Sequence, residues 1–223
     1  MARDIVLDVD LATADLDGLA SAIDSSGTAL VFDGDLISGG TFTSSDGLGR
    51  IIVIVDADTD TQSDVTFLIT GTDVMGDAIS ESVTGPASAA TVASTKFFKT
   101  VSSVVVSAAQ GGTEKVDIGT RGTTLAAISK HVVLNHYNNV AAMVSVDVTG
   151  TLNFTVQQTF NPILSTKDNT GLVIWQDVTA LASKTADTTA QLSIGAHAMR
   201  VVVNTYSTGA ELQATIVQPV SYY

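Results

Sequence analysis

The residues with the clearest chemical potential are four aspartates in the stretch VDADTDTQSD, residues 55–64. Asp56, Asp58 and Asp60 stand at i, i+2 and i+4, with Asp64 following. An EF-hand loop opens its calcium shell with that spacing. A loop beginning at Asp56 would need glycine at its sixth position and a bidentate glutamate at its twelfth; those positions hold Thr61 and Phe67. The pattern breaks where ligation geometry is most demanding. Asp56, Asp58, Asp60 and Asp64 therefore stand as weak calcium candidates only. The simpler expectation is a polar turn whose carboxylates accept local backbone hydrogen bonds. On that expectation no cofactor is needed, and excess calcium leaves the melting temperature unmoved.

The three histidines are His131, His136 and His197. The gap of five between the first two suits neither one helix face nor one strand face, so they suggest neither a metal centre nor a general base. No nucleophile elbow, phosphate-binding glycine loop, zinc-binding H-E-x-x-H or dinucleotide fingerprint occurs. There is no cysteine, which removes thiol nucleophiles, disulfides and zinc-thiolate sites. Carbohydrate sites usually present several aromatic platforms, whereas Trp175 is the only tryptophan and sits beside Leu172, Val173 and Ile174. Trp175 is therefore expected in a core or interface, and Tyr206, Tyr222 and Tyr223 could form a small aromatic patch. The expectation is a protein that is not an enzyme and has no small-molecule substrate.

Charge points to the kind of partner. The net charge is −13, yet residues 1–95 hold sixteen acidic residues against Arg3 and Arg50, while residues 96–223 are nearly balanced. Nucleic acid is not expected as a partner, because phosphate binding needs a basic patch. The acidic excess serves solubility or, as the sharper alternative, forms a surface that meets a basic partner. The start MARDIVLDVD lacks the basic and apolar regions of a signal peptide, and no apolar run reaches the 18 or so residues of a membrane helix. Synthesis in the cytoplasm without membrane association is the expectation.

The elements that would position these groups read as strands. Valine, threonine, serine and glycine dominate, a mixture that suits short strands and tight turns. In DIVLDVDL, Ile5, Leu7, Val9 and Leu11 alternate with Asp4, Asp8 and Asp10, the period of a half-covered strand. Lying so near the start, it could be an arm reaching onto a neighbouring subunit; Asp4, Ile5, Leu7, Asp8, Val9, Asp10 and Leu11 are the interface candidates. Residues 14–24 could form a short helix with Leu16, Leu19 and Ile23 on one stripe, although Gly18 weakens it. GRIIVIVDAD (49–58) reads as a strand covered on both faces, and SDVTFLIT (63–70) as its hairpin partner, with the aspartates at the tip. Further strands are expected at 78–83, 96–108, 114–119, 131–137, 142–149, 151–158, 171–178, 189–195, 199–206 and 211–218, paired mainly with sequence neighbours. The expected fold is all-β, with two antiparallel β-sandwich (jelly-roll-like) modules. The domain boundaries expected are an arm over 1–30 and sandwiches over 31–125 and 126–223, with a seam near 120–131.

Two segments also carry a family resemblance. One joins ITGTDVMGDAISESVTGP (69–86) to FFKTVSSVVVSA (97–108); the other runs VTGTLNFTVQQTF (148–160), Trp175, AHAMRVVVN (196–204) and ATIVQP. Together they cover about half of the chain and resemble the β-rich structural proteins in virions of tailed bacteriophages, most closely the capsid decoration (cement) proteins. The resemblance implies a homotrimer on the outer surface of the mature shell that bridges neighbouring copies of the major capsid protein. It names no catalytic residue. A tail or fibre component for host attachment is the alternative within the same class.

Overall fold

The computed structural model describes residues 3–25, 29–58, 61–109, 114–135, 141–163 and 173–218. Among them the ordered elements are eighteen strands and a short 3-10 turn at Thr179–Leu181. No described helix is long and apolar enough to cross a membrane. The chain divides into two compact units, one of residues 14–122 and one of residues 1–13 with 123–223. Every strand pairing described is antiparallel, and the fold is an all-β sandwich type.

The 14–122 unit contains β2 (Ala20–Asp24), β3 (Ile37–Ser38), β4 (Thr41–Thr43), β5 (Gly49–Asp56), β6 (Thr66–Thr72), β7 (Ala78–Thr84), β8 (Thr91–Phe98), β9 (Thr100–Val106) and β10 (Lys115–Thr120). One sheet runs β3-β4-β9-β6-β7, and the other places β5 between β8 and β10, with β2 outside β10. Their facing side chains, including Ile52, Ile54, Phe67, Ile69, Phe98, Val104, Val116 and Ile118, form one apolar core. β5 is buried along most of its length, as its unbroken apolar run predicts.

Three expectations fail here, each for a tertiary reason. β5 and β6 are not a hairpin: β5 pairs with β8 and β10, whereas β6 pairs with β7 and β9. The aspartate stretch thus lies on a connection that passes from one sheet to the other. Residues 96–108 are not one strand: the chain leaves the β5 sheet after Phe98 and joins the β6 sheet at Thr100. The hinge residue Lys99 donates its N–H to Thr72 O, and Lys99 O accepts from Ser44 N. Residues 14–24 are not a helix, because their backbone groups bond outward to other strands. Leu19 N–H donates to Ile118 O, Gly34 N–H to Leu19 O and Leu36 N–H to Gly18 O, and residues 20–24 become β2. Gly71 serves the crowded β6–β9 pairing. A Cβ there would lie 1.8 Å from Thr100 O, beside the register shift between Thr70 and Gly71.

The other unit contains β1 (Arg3–Asp10), β11 (Ala127–Ile128), β12 (Val132–Val133), β13 (Met143–Thr149), β14 (Leu152–Thr159), β15 (Gln176–Asp177), β16 (Thr188–Gln191), β17 (Ala198–Tyr206) and β18 (Glu211–Gln218). One sheet runs β1-β18-β13-β16; in the other, β17 pairs with β14, β11 and β12, and β14 with β15. Gly150 and Gly209, at φ 78° and 74°, make the turns β13–β14 and β17–β18. Each turn joins strands of different sheets, so pairing with the sequence neighbour gives way to crossing between layers.

The arm expected over 1–30 has no counterpart as a separate piece. β1 pairs with β18 along its whole length, from Arg3 opposite Gln218 to Asp10 opposite Glu211, and Leu11 N–H donates to Ala210 O. Val9 and Leu11 are buried. The segment is held by its own chain because its apolar side completes that chain's core. Residues 14–30 belong to the other unit, and the boundary between units falls at Gly122 and Thr123.

Candidate interaction face

The strand alternation that sends Val9, Val144, Val146, Leu212, Ala214 and Ile216 inward sends the intervening residues to the opposite face of the β1-β18-β13-β16 sheet. The register fixes how those outward residues line up. Asp4, Val217, Met143 and Gln191 form one row, and Val6, Thr215, Ser145 and Thr189 the next. Asp8, Gln213 and Asp147 form a third row, and Asp10, Glu211 and Thr149 a fourth. Val6, Met143 and Val217 are 56%, 40% and 36% exposed, so neighbouring apolar side chains face solvent at one end of this surface. The other end carries Asp8, Asp10, Asp147 and Glu211, all exposed, and Asp4 flanks the apolar group. None of the outward positions on these strands is lysine or arginine. An apolar patch at one end with carboxylates beside it and at the other end suits a basic protein surface.

The seven interface candidates divide between the two sides of β1. Asp4, Asp8 and Asp10 are exposed on the outward face. Ile5 and Leu7 are half-buried on the inner side, while Val9 and Leu11 are core residues with no surface to offer. Val6, Met143 and Val217 were missed because each sits at the polar phase of its strand. Their signal is cross-strand register, which a single strand's alternation does not contain. β1 is also an edge strand, and its aspartates guard it against unselective strand pairing.

Of the four calcium candidates, the three described, Asp56, Asp58 and Asp64, are not grouped as a metal site. Asp56 is buried at the end of β5 and accepts from Ala89 N–H through Oδ2 at 2.6 Å. Asp58 Oδ2 accepts from Lys115 N–H at 2.6 Å, Asp64 is exposed, and Asp60 lies outside the described residues. Among the described residues no three His, Cys, Asp or Glu side chains are grouped as a metal ion would need. His136, Tyr222 and Tyr223 also lie outside the described residues. His131 lies beside Trp175, with ring centroids 6.3 Å apart, and the Trp175 ring faces the Arg200 guanidinium at 4.3 Å. Arg200 Nε donates to Gln157 Oε1, and Gln157 Nε2 to Asp177 Oδ1. Trp175 packs on Ile163, Val173 and Ala198. This polar row ties β15, β14 and β17 together across the sheet. Tyr206 uses its hydroxyl to bond Ala12 O at 2.8 Å.

Asp15 and Asp17 form a separate acidic pair. The Asp15 carboxyl is held above its ordinary range, first by its hydrogen bond to Asp17 and then by burial, while that same bond lowers Asp17. Asp15 favours the folded state in acid and loses that contribution as pH rises through its raised folded pKa. Asp17 contributes above the ordinary aspartate value and loses its contribution as pH falls through its lowered folded pKa, so the two oppose each other. Asp17→Asn is expected to bring Asp15 down toward its ordinary range, read by carboxyl-carbon NMR titration; an unchanged Asp15 midpoint would refute the coupling.

No family model and no curated protein matches the chain. A chain in the solved structure of Sulfolobus Turreted Icosahedral Virus is similar to it at 10% sequence identity and a TM-score of 0.21, over 95% of this chain and 58% of that one. The chain thus spans little more than half the length of that viral chain, and a likeness of this degree carries no weight for fold or function.

Proposed function

We propose that this protein is a virion structural component of a tailed bacteriophage that decorates the outside of the mature capsid and stabilises the head by bridging major capsid subunits. The observation that carries the reading is the outward face of the β1-β18-β13-β16 sheet, where Val6, Met143 and Val217 adjoin a margin of carboxylates without a base among them. The motif resemblance of residues 69–86 and 97–108, and of 148–160, Trp175, 196–204 and ATIVQP, supports the same reading. Binding to the mature lattice and not to its precursor stabilises the mature form by mass action. A trimer would add avidity, since three faces engage one lattice together.

Copy number in purified virions tests the location. Copies in the hundreds, comparable to the major capsid protein, are expected; a dozen or fewer would place the chain in the tail. The face itself is tested by Asp8→Lys with Asp147→Lys. Both positions are exposed, so stability should change little. Affinity for undecorated particles, measured by co-sedimentation, is expected to fall at least tenfold, and wild-type binding to weaken with added salt. Unchanged binding by the double variant would remove this face from the reading.

A further inference from the structure

The end of the 14–122 sandwich where β5 finishes and β10 begins holds polar side chains in place of apolar ones. The alternation that points Ile52 and Ile54 into the core continues to Asp56, and the alternation that points Ile118 and Val116 inward runs back to Glu114. Asp56 lies opposite Val116, so Glu114 is its diagonal neighbour, within reach of a long side chain. Ser25 N–H donates to Glu114 O at 3.3 Å, and Ser25 Oγ lies 2.8 Å from Gln62 Oε1. Gln62 and Asp56 are 0% and 7% exposed. Three atoms of this group are shut off from solvent without a hydrogen-bond partner: Asp56 Oδ1, Glu114 Oε2 and Gln62 Nε2.

Buried polar atoms are almost always partnered, and an unpartnered carboxylate oxygen is among the costliest exceptions. The two ends of a carboxamide are interchangeable in placement. Turning the Gln62 amide over lets Nε2 donate to Ser25 Oγ and puts Oε1 in the unpartnered position. Ser25 Oγ then keeps Glu114 O, 3.4 Å away, as its own acceptor. The group becomes three buried, unpartnered oxygens carrying two negative charges, from two stretches of chain, one with Asp56 and Gln62 and the other with Glu114. Hard divalent cations are bound by carboxylate and amide oxygens.

We propose that Asp56, Glu114 and Gln62 bind a calcium-type divalent cation that closes this end of the sandwich. The site differs from the loop pattern read in the sequence: it keeps Asp56, dispenses with the other aspartates of the stretch in favour of Gln62, six positions on, and recruits Glu114, 58 positions from Asp56, by folding. It is independent of the interaction face. With two carboxylates and one amide, it is also not a grouping of three acidic side chains.

The test uses the full chain stripped with EDTA and then titrated with CaCl2 by calorimetry and thermal unfolding. A single saturable site is expected, with a melting rise of roughly 5–10 °C at a hundredfold excess over Kd, reversed by EDTA. Asp56→Asn and Glu114→Gln preserve shape and are each expected to lose at least tenfold in calcium affinity. Each is also expected to melt no lower than wild type in EDTA, since it removes an unpaired buried charge. No heat and no shift with wild type would overturn the proposal and leave water as the occupant. A calcium-dependent rise that both variants retain would place binding elsewhere, such as Asp15 and Asp17, and would overturn it equally.

Discussion

Replacing Asp46 by alanine is expected to lower the stability of the 14–122 unit by about 3–5 kcal/mol, the cost of leaving a buried charge without its counter-ion. Asp46 and Arg50 form a salt bridge with side chains 0% and 3% exposed. Asp46 Oδ1 also accepts from Ser44 Oγ at 2.6 Å and from Leu48 N–H at 3.0 Å, so one carboxylate organises the turn leading into β5. Arg50 stands in β5 opposite Phe98, which is itself fully buried, and water cannot easily replace the lost partner. Thermal unfolding should show a fall on the order of 10–20 °C. The pair Asp46→Leu with Arg50→Met is expected to recover most of the loss, since a buried ion pair contributes little beyond apolar residues of the same volume. A single-variant loss under about 1 kcal/mol would contradict this account of the pair.

Deleting residues 1–11 is expected to be as damaging to the other unit. Val9 and Leu11 leave its core, at about 1.5–3 kcal/mol each, and β18 loses its partner along the whole of β1. Calorimetry should show the loss or a steep lowering of that unit's transition. Retention of wild-type unfolding would show β1 to be the dispensable arm that its position in the sequence suggested. The practical consequence is that truncation cannot probe binding, because a fold defect and an interface defect would look alike. Point substitutions at Asp8 and Asp147 avoid this.

Some of the fold is legible in single strands. The alternation around Val9 and Leu11 gives the inner side of β1, and the unbroken run Ile51–Val55 gives a strand covered on both faces. What single strands do not contain is the choice of partner. Ser-Thr-Gly-Ala after β17 and Gly-Thr after β13 look like hairpin turns, yet each passes the chain between sheets. The break at Lys99 has no glycine or proline to announce it. Gly18 lowers helix propensity over residues 14–24, but the deciding factor is Gly34 and Leu36 approaching its backbone from beyond β2.

The same limit governs the sites. The acidic character of the N-terminal half was plain in the sequence, and the 14–122 unit carries it, with fifteen acidic and five basic residues. The aspartates that margin the candidate face come instead from β1 and β13 of the other unit. Asp56 stood out through its spacing to Asp58 and Asp60, whereas its diagonal neighbour across the sheet is Glu114, which Ser25 links to Gln62. Spacing along one strand found the residue; register between strands decides what it can bind.

A map of the decorated particle, at a resolution that traces strands, tests the central reading most directly. The expected result is the β1-β18-β13-β16 sheet turned toward the shell, with Val6, Met143 and Val217 against capsid protein and Asp8 and Asp147 beside its lysines and arginines. Density for this chain with that sheet facing solvent, or on the tail and not the head, would contradict it.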